Sequence, residues 1–411
     1  MEQKELIPHL FRTEFRKITA VLCKFLGAEN MQVAEDIASE TFLSALEVWP
    51  YRGIPANPTA WLYTVAKNKT KNHLQRQQLF AGKITKVLAA SSLSAEELEI
   101  DLSEENITDS QLQMLFAICH PALSAEAQTG LALRILCGFG IDEIAAAFLT
   151  NKEAISKRLT RAKEKIKTEH IKIEFPPGAE INNRLEAVLR TLYLLFSEGY
   201  YSESNETVLR EEFCKEAMRL TWFLTENEAT NTPAVNALMA LMCFHASRFK
   251  ARMNSSGEII LYEDQDEHLW SYELIEKGAY FLNAASQGNT LSKYHLEASI
   301  AWWYTKKESS TEKWETILQL YNHLLVIEYS PVAALNRAYA LSKARNKEEA
   351  IREAEKLRLE NNHLYHLLLG ELYTGIDNDK TAEHFNMAQI LSNSPAEKNI
   401  ISRKLQHLNK A

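Results

Sequence analysis

IDEIAAAFLTNKEAISKRLTRAK, residues 141–163, reads as a helix, a tight turn and a second helix. In the first helix Ile141, Ile144, Ala145 and Phe148 recur at helical spacing and form one apolar stripe, while Asp142 and Glu143 complement the positive N-terminal end. In the second, Ala154, Ile155, Leu159 and Ala162 face inward and leave Asn151, Lys152, Ser156, Lys157, Arg158 and Arg161 on the outer side. Arg and Lys can grip phosphates or the O6/N7 edge of guanine, and Ser and Asn can reach base edges. The stretch is therefore a candidate reader of DNA. Taken alone, the same pattern also fits an ordinary helical hairpin with a solvated basic face.

The rest of the chain has the composition of an all-α protein. In 411 residues there are only 13 Gly and 10 Pro, and few alternating runs of β-branched residues, which argues against extensive sheet. A hydrophobic content of 46% supplies material for two to four domain cores. The stretch MEQKELIPHLFRTEF lacks the apolar core and small-residue cleavage site of a secretory signal, and no run approaches the roughly 18 apolar residues of a membrane span. A soluble, cytoplasmic protein is expected. Cys23, Cys119, Cys137, Cys214 and Cys243 are odd in number and scattered, so buried free thiols are expected rather than disulfides or zinc.

A net charge of −8 speaks against a polyanionic partner until its distribution is read. Between Val48 and Ala95 there is no acidic residue, while Arg52, Lys67, Lys69, Lys71, Arg76, Lys83 and Lys86 are all basic. A second basic run, Lys152 to Lys172, sets eight Lys/Arg against three Glu. Residues 1–179 hold 21 basic and 22 acidic side chains and residues 180–411 hold 25 and 32, so most of the deficit lies in the second half. Two basic patches within a neutral front half suit a protein that touches nucleic acid in two places.

Four segments follow from the punctuation of the chain. A helical region spans 1–77, broken at PYRGIPANP (50–58), with a core stripe of Phe11, Phe15, Ile18, Leu22, Ile37, Phe42, Leu46, Trp61, Leu62 and Val65. Residues 78–109 turn small, polar and then acidic and read as a linker. A second helical domain, 110–175, contains the opening stretch and closes at Phe175-Pro176-Pro177-Gly178. Residues 180–411 form a larger helical unit. Near its end Ala338, Leu341 and Ala350 are echoed 32 residues later by Gly370, Tyr373 and Ala382, which resembles a degenerate tetratricopeptide pattern; a non-repetitive bundle is the alternative.

AEDIASETFLSALE (34–47) places Asp36 and Glu40 one helical turn apart, and NPTAWLYTVAKNKTKNHLQRQ (57–77) is an aromatic and basic helix. This order of parts, followed by a linker and EIAAAF…SKRLTRAKEKI, resembles a bacterial sigma factor of the extracytoplasmic-function class, with region 2 in front and region 4 behind, over about residues 6–172. VLRTLYLLFSEGYYS (188–202), ALMALMCFHASRFKAR (237–252), LYEDQDEHLW (261–270) and SPVAALNRAYAL (330–341) are similar to segments of a sigma-factor subgroup with a long tetratricopeptide-like C-terminal extension. Two positions depart from the family: Ser39 stands where Gln is usual, and the glycine common in the region 4 turn is missing at Ala147-Phe148-Leu149.

The resemblance implies an all-α protein of two small domains, sigma regions 2 and 4, and a larger helical regulatory extension. It implies binding to the clamp and flap regions of core RNA polymerase and to promoter DNA. Asp36 and Glu40, supported by Phe42 and Leu43, would meet polymerase; Lys67, Asn68, Lys69, Lys71, Asn72 and Arg76 would meet the melting −10 element; Asn151, Lys152, Ser156, Lys157, Arg158 and Arg161 would read the −35 element. Trp61 and Tyr63 fit either the core or a stacking platform. A concave face of the extension, near Tyr294, His295, Trp302 and Trp303, is a candidate seat for a protein or peptide. The acidic cluster Glu263, Asp264, Asp266 and Glu267 lacks the regular spacing and turn glycine of a calcium loop and reads as an ion-paired corner near His245, Arg248 and Arg252, or as a contact against the basic front half. No glycine-rich phosphate loop, HExxH or GxSxG occurs, so no enzyme, cofactor or metal is expected. The alternative function is a helix-turn-helix regulator with a repeat-type sensor domain that does not engage polymerase.

Overall fold

The computed structural model describes residues 3–84, 100–148, 150–201, 207–252, 260, 262–392 and 395–408, and all regular structure among them is helical. The chain divides into two compact units, Met1–Thr230 and Asn231–Ala411.

The first unit begins with α1 (Gln3–Leu26), α2 (Met31–Arg52) and α3 (Pro58–Ile84). Phe15, Ile18, Leu22, Ile37, Phe42 and Leu62 are buried, and Phe11 packs on both Phe15 and Phe42, with ring centroids 4.8 and 5.0 Å away. Leu46 departs from the expected stripe and is 52% exposed. The buried line on α2 runs through Ala38, Thr41, Ala45 and Trp49, and Leu46 lies about 100° beyond Ala45, toward solvent. Pro50 does not break α2 either: in the last turn its missing N–H forfeits a single bond, and the Gly53 N–H donates to the Trp49 carbonyl at 3.0 Å.

The stretch read as a linker is helical at both ends. The first helix beyond it, α4 (Glu104–Ile118), starts at a Ser103 cap whose hydroxyl accepts from the Asn106 N–H at 3.3 Å, with Glu104 and Glu105 in the first turn. Those acidic residues are a helix start. Residues 85–99 lie outside the described residues. Next, α5 (Ala125–Leu131) continues into a π-helical turn, Ala132–Leu136. Gly138 then adopts φ +78°, and a Cβ there would meet the Arg12 carbonyl oxygen at 3.0 Å, so glycine lets the chain turn against α1 into α6 (Ile141–Ala147). After it, α7 (Lys152–Thr168) buries Ile155, Leu159, Ala162 and Ile166.

The unit continues past Phe175–Gly178 through α8 (Gly178–Tyr201) and α9 (Thr207–Glu226), which pair with each other and pack on α4 and α5. Gln128 is fully buried and satisfied: its amide donates to the carbonyls of His120 and Leu123, both at 3.1 Å, and accepts from the Thr191 hydroxyl of α8 at 3.2 Å. Arg219 of α9 donates to Gln111 at 3.1 Å and to the Leu136 carbonyl at 2.9 Å. Arg12 and Arg16 of α1 pair with Glu212 and Glu216 of α9.

The second unit holds α10 (Pro233–Ala246), α11 (Tyr272–Ala285), α12 (Lys293–Trp303), α13 (Thr311–Ile327), α14 (Pro331–Ala344), α15 (Lys347–Glu355), α16 (His363–Tyr373), α17 (Asn378–Leu391) and α18 (Pro395–Leu408). The 32-residue echo has a structural counterpart, since α14 and α16 begin at Pro331 and His363, 32 residues apart. Gly370 lets α16 lie on α17, for a Cβ there would come within 2.5 Å of the Phe385 ring. Glu263 pairs with Lys343 at 3.0 Å and Asp266 caps the His268 N–H at 3.0 Å, so this part of the acidic cluster is an ion-paired, capped corner. All five cysteines are buried and none is in a disulfide, and burial pushes the thiols of Cys119 and Cys243 up to about 12. No described helix is long and apolar enough to cross a membrane.

The inclusion of α8 and α9 in the first unit has a measurable consequence. Leu185, Val188, Leu189, Leu192, Leu195 and Phe196 are all buried, each contributing about 1.5–3 kcal/mol when removed from water. A fragment ending at residue 179 should fail to unfold cooperatively, whereas one ending at residue 230 should retain a sharp thermal transition by circular dichroism.

Candidate nucleic-acid interface

On α2, neighbouring carboxylates meet opposite surroundings. Asp36 and Glu40 are exposed; Asp36 accepts from the Gln32 amide at 2.9 Å and Glu40 pairs with Lys69 of α3 at 3.1 Å. Leu43 is 53% exposed on the same helix, followed by Leu46 and the fully projecting Tyr51. Phe42 does not belong to this outer surface: it is 2% exposed and holds α2 against Phe11. Glu35 points the other way, 4% exposed, and pairs with Lys163 of α7 at 2.6 Å and Arg134 of the π-helical turn at 3.2 Å.

Asn68, Asn72 and Arg76 are exposed on α3 at intervals of four, which places them on one stripe. Lys67, Lys69 and Lys71 flank it, half-exposed. Trp61 stacks edge-on against buried Trp49 at 5.4 Å, and the Tyr63 hydroxyl donates to buried Glu14 at 2.7 Å. Burial and the adjacent Glu14 push the Tyr63 phenol well above its ordinary range. Both aromatic residues serve packing here.

Ser156, Lys157 and Arg161 are exposed on α7, while Arg158 is half-buried with its guanidinium 5.8 Å from the Phe148 ring centroid. Lys152 pairs with Asp142 at 3.0 Å. Asn151, exposed, caps α7, its side-chain oxygen accepting from the Ala154 N–H at 2.8 Å. Leu149, one of the three turn positions where the family glycine is absent, lies outside the described residues. Glu143 of α6 accepts from the Gly140 N–H at 2.6 Å and pairs with Arg12 of α1 at 3.0 Å. Elsewhere, His295 is buried at the start of α12, bonded through Nδ1 to Ser292 and through Nε2 to the Ala285 carbonyl, so it closes a cap and does not line a groove.

Residues 10–80, which carry the first two of these surfaces, match the sigma-70 region 2 family. Residues 184–286 match a family of unknown function, DUF6596. An uncharacterized protein of Rhizobium meliloti is 33% identical over 394 residues, 92% of this chain and 90% of the relative. The chain belongs to the family of that protein. The RNA polymerase sigma-H factor of Pseudomonas aeruginosa is 29% identical over 158 residues, 36% of this chain and 78% of that factor. No solved structure matches the chain. Together the region 2 domain and the sigma-H relative support a sigma-type RNA polymerase factor.

Sequence reasoning missed Glu35, Arg134 and Lys163. Glu35 is separated from Asp36 by one position, about 100° of helix, and nothing local marks which carboxylate turns inward. Removing a buried charge from its partners costs more than the pair contributes, because the partners remain desolvated. Glu35→Gln should therefore lower stability by about 3 kcal/mol in urea denaturation, whereas Asp36→Asn should stay within about 0.5 kcal/mol; equal effects would refute the buried clamp.

Proposed function

We propose that this protein is a sigma factor of the extracytoplasmic-function class that binds core RNA polymerase and directs it to particular promoters. The sigma-70 region 2 match over residues 10–80 carries the reading. Asp36, Glu40 and Leu43 on the outer face of α2 bind the polymerase clamp, with Phe42 fixing the helix from behind. The Asn68, Asn72 and Arg76 stripe of α3 meets the melting −10 element, where extruded bases expose edges that amides can read and Lys67 and Lys71 neutralise phosphates. The pair α6 and α7 acts as a helix-turn-helix on the −35 element, with Ser156, Lys157 and Arg161 outermost and Arg158 released from Phe148 on binding.

Two promoter elements read at once lie apart along a duplex that rises about 3.4 Å per base pair. In the free chain α2 and α7 are joined through Glu35 and Lys163, and α1 is joined to α9 through Arg12 and Arg16. Initiation on this reading requires the α2–α7 contact to open, and α8 and α9 of the extension bias the unit toward its closed form. The remainder of the extension, tetratricopeptide-like in its helix pairs, then modulates that balance.

Transcription in vitro with purified core polymerase decides the central claim. The intact protein should produce discrete new start sites on genomic fragments, and Asp36→Arg/Glu40→Arg should reduce them at least tenfold while leaving duplex binding intact; specific duplex binding without any initiation would replace the sigma reading with that of a conventional regulator. Arg161→Ala should weaken binding to cognate and scrambled −35 duplexes alike and lower the slope of log affinity against log salt by about 1.

A further inference from the structure

Among its described residues, the second unit contains two buried cations that form no ion pair with a carboxylate. Arg248, just after α10, is 7% exposed, and Lys313 in the first turn of α13 is 1% exposed. Neither forms an ion pair among the described residues. Both lie over the same two rings: the Arg248 guanidinium is 5.5 Å from the Tyr262 centroid and 5.9 Å from that of Tyr304, and the Lys313 ammonium is 5.3 and 5.8 Å away. Cation–π attraction offsets part of their desolvation and none of their mutual repulsion.

The hydrogen bonding is equally one-sided. Lys313 donates to the Tyr262 hydroxyl at 3.2 Å and to the Lys306 carbonyl, which uses two of its three N–H groups on neutral oxygens. Buried Arg248 Nε has no partner, and neither does Nε1 of Trp270, whose ring stacks on Tyr262 at 6.3 Å. A guanidinium this deeply buried ordinarily meets a carboxylate, a phosphate or several carbonyls. Glu267, exposed on the adjoining turn, acts on Lys313 only through space. Burial and the charge of Arg248 push the Lys313 ammonium down to about 8, the response of an amine that lacks its counter-ion.

We propose that Arg248 and Lys313, framed by Tyr262, Tyr304 and Trp270, form a binding site in the second unit for a small soluble oxyanion, a carboxylate or phosphate group carried by a ligand. Among the described residues neither cation is in an ion pair, Arg248 Nε and Trp270 Nε1 lack acceptors, and both cations lie over the same two rings; each condition favours an acceptor-rich anion. Guanidinium binds such groups through paired N–H donors, and Lys313 adds a second positive charge behind them. The inference is independent of whether the first unit engages polymerase, and it gives the extension a chemical input.

The test uses the full-length protein with inorganic phosphate and acetate as separate probes, each at ionic strength matched by sodium chloride. At least one probe should raise the thermal midpoint of the second unit's transition by roughly 3 °C near saturation, and the probe that succeeds identifies the group. Arg248→Gln should abolish that rise. Should the variant misfold, acylation of Lys313 in the wild-type protein, read by mass spectrometry against exposed Lys277, decides instead: the same probe should slow modification of Lys313 several-fold and leave Lys277 unchanged. A chloride effect equal to that of both probes, or absence of both the midpoint shift and Lys313 protection, overturns the proposal.

Discussion

Glu35 and Asp36 are adjacent on one helix, and the first unit depends on their divergence. Glu35 faces inward to Lys163 and Arg134, and in doing so joins the helix that carries the exposed acidic surface to the helix that carries the exposed basic one. Desolvating three charged groups is tolerable only because the one carboxylate lies at close range to both cations. Around that clamp the apolar packing of Phe11, Phe15 and Phe42 and the turn at Gly138 fall into register. The outward carboxylates, Asp36 and Glu40, remain in water, where a rim charge governs orientation and association rate more than affinity.

The same electrostatic logic separates the two units. In the first, several buried or half-buried cations meet acids: Arg12 has Glu143 and Glu212, Arg16 has Glu216, and Lys163 and Arg134 share Glu35. The second unit satisfies its surface charges in the same way, as Glu263 with Lys343 and Arg337 with Glu353 show. Arg248 and Lys313 depart from this economy, meeting aromatic faces and neutral oxygens instead. Two cations this deeply buried, side by side over the same rings and without an ion pair among the described residues, are a chemical signal in their own right.

Helix capping explains why some polar residues attracted a functional reading at sequence level and others were passed over. Asn151 has the chemistry to contact a base, yet its oxygen closes the start of α7. Ser103 with Glu104 and Glu105 resembles linker composition, yet it starts α4. His295 was a candidate lining residue, yet its Nδ1 closes the start of α12 and its Nε2 bonds the Ala285 carbonyl at the end of α11. In each case a helix terminus with unsatisfied N–H groups competes for the same side chain that a ligand would use.

Helical periodicity made the all-α class, the paired helices at 141–163 and the apolar residues Ile144, Ile155 and Leu159 legible in the sequence, because a period of 3.6 is a local property. Charge runs likewise located the basic faces of α3 and α7, since exposed side chains need no partner to stay where solvent puts them. Tertiary structure alone decided which carboxylate of the Glu35–Asp36 pair is buried, that Leu46 faces outward, and that α8 and α9 belong with the first unit. It alone brought Arg248 and Lys313, separated by 65 positions in the chain, over the same rings. Those outcomes depend on long-range contacts between elements, and the free energy of desolvating a charge is set by whatever the fold places beside it.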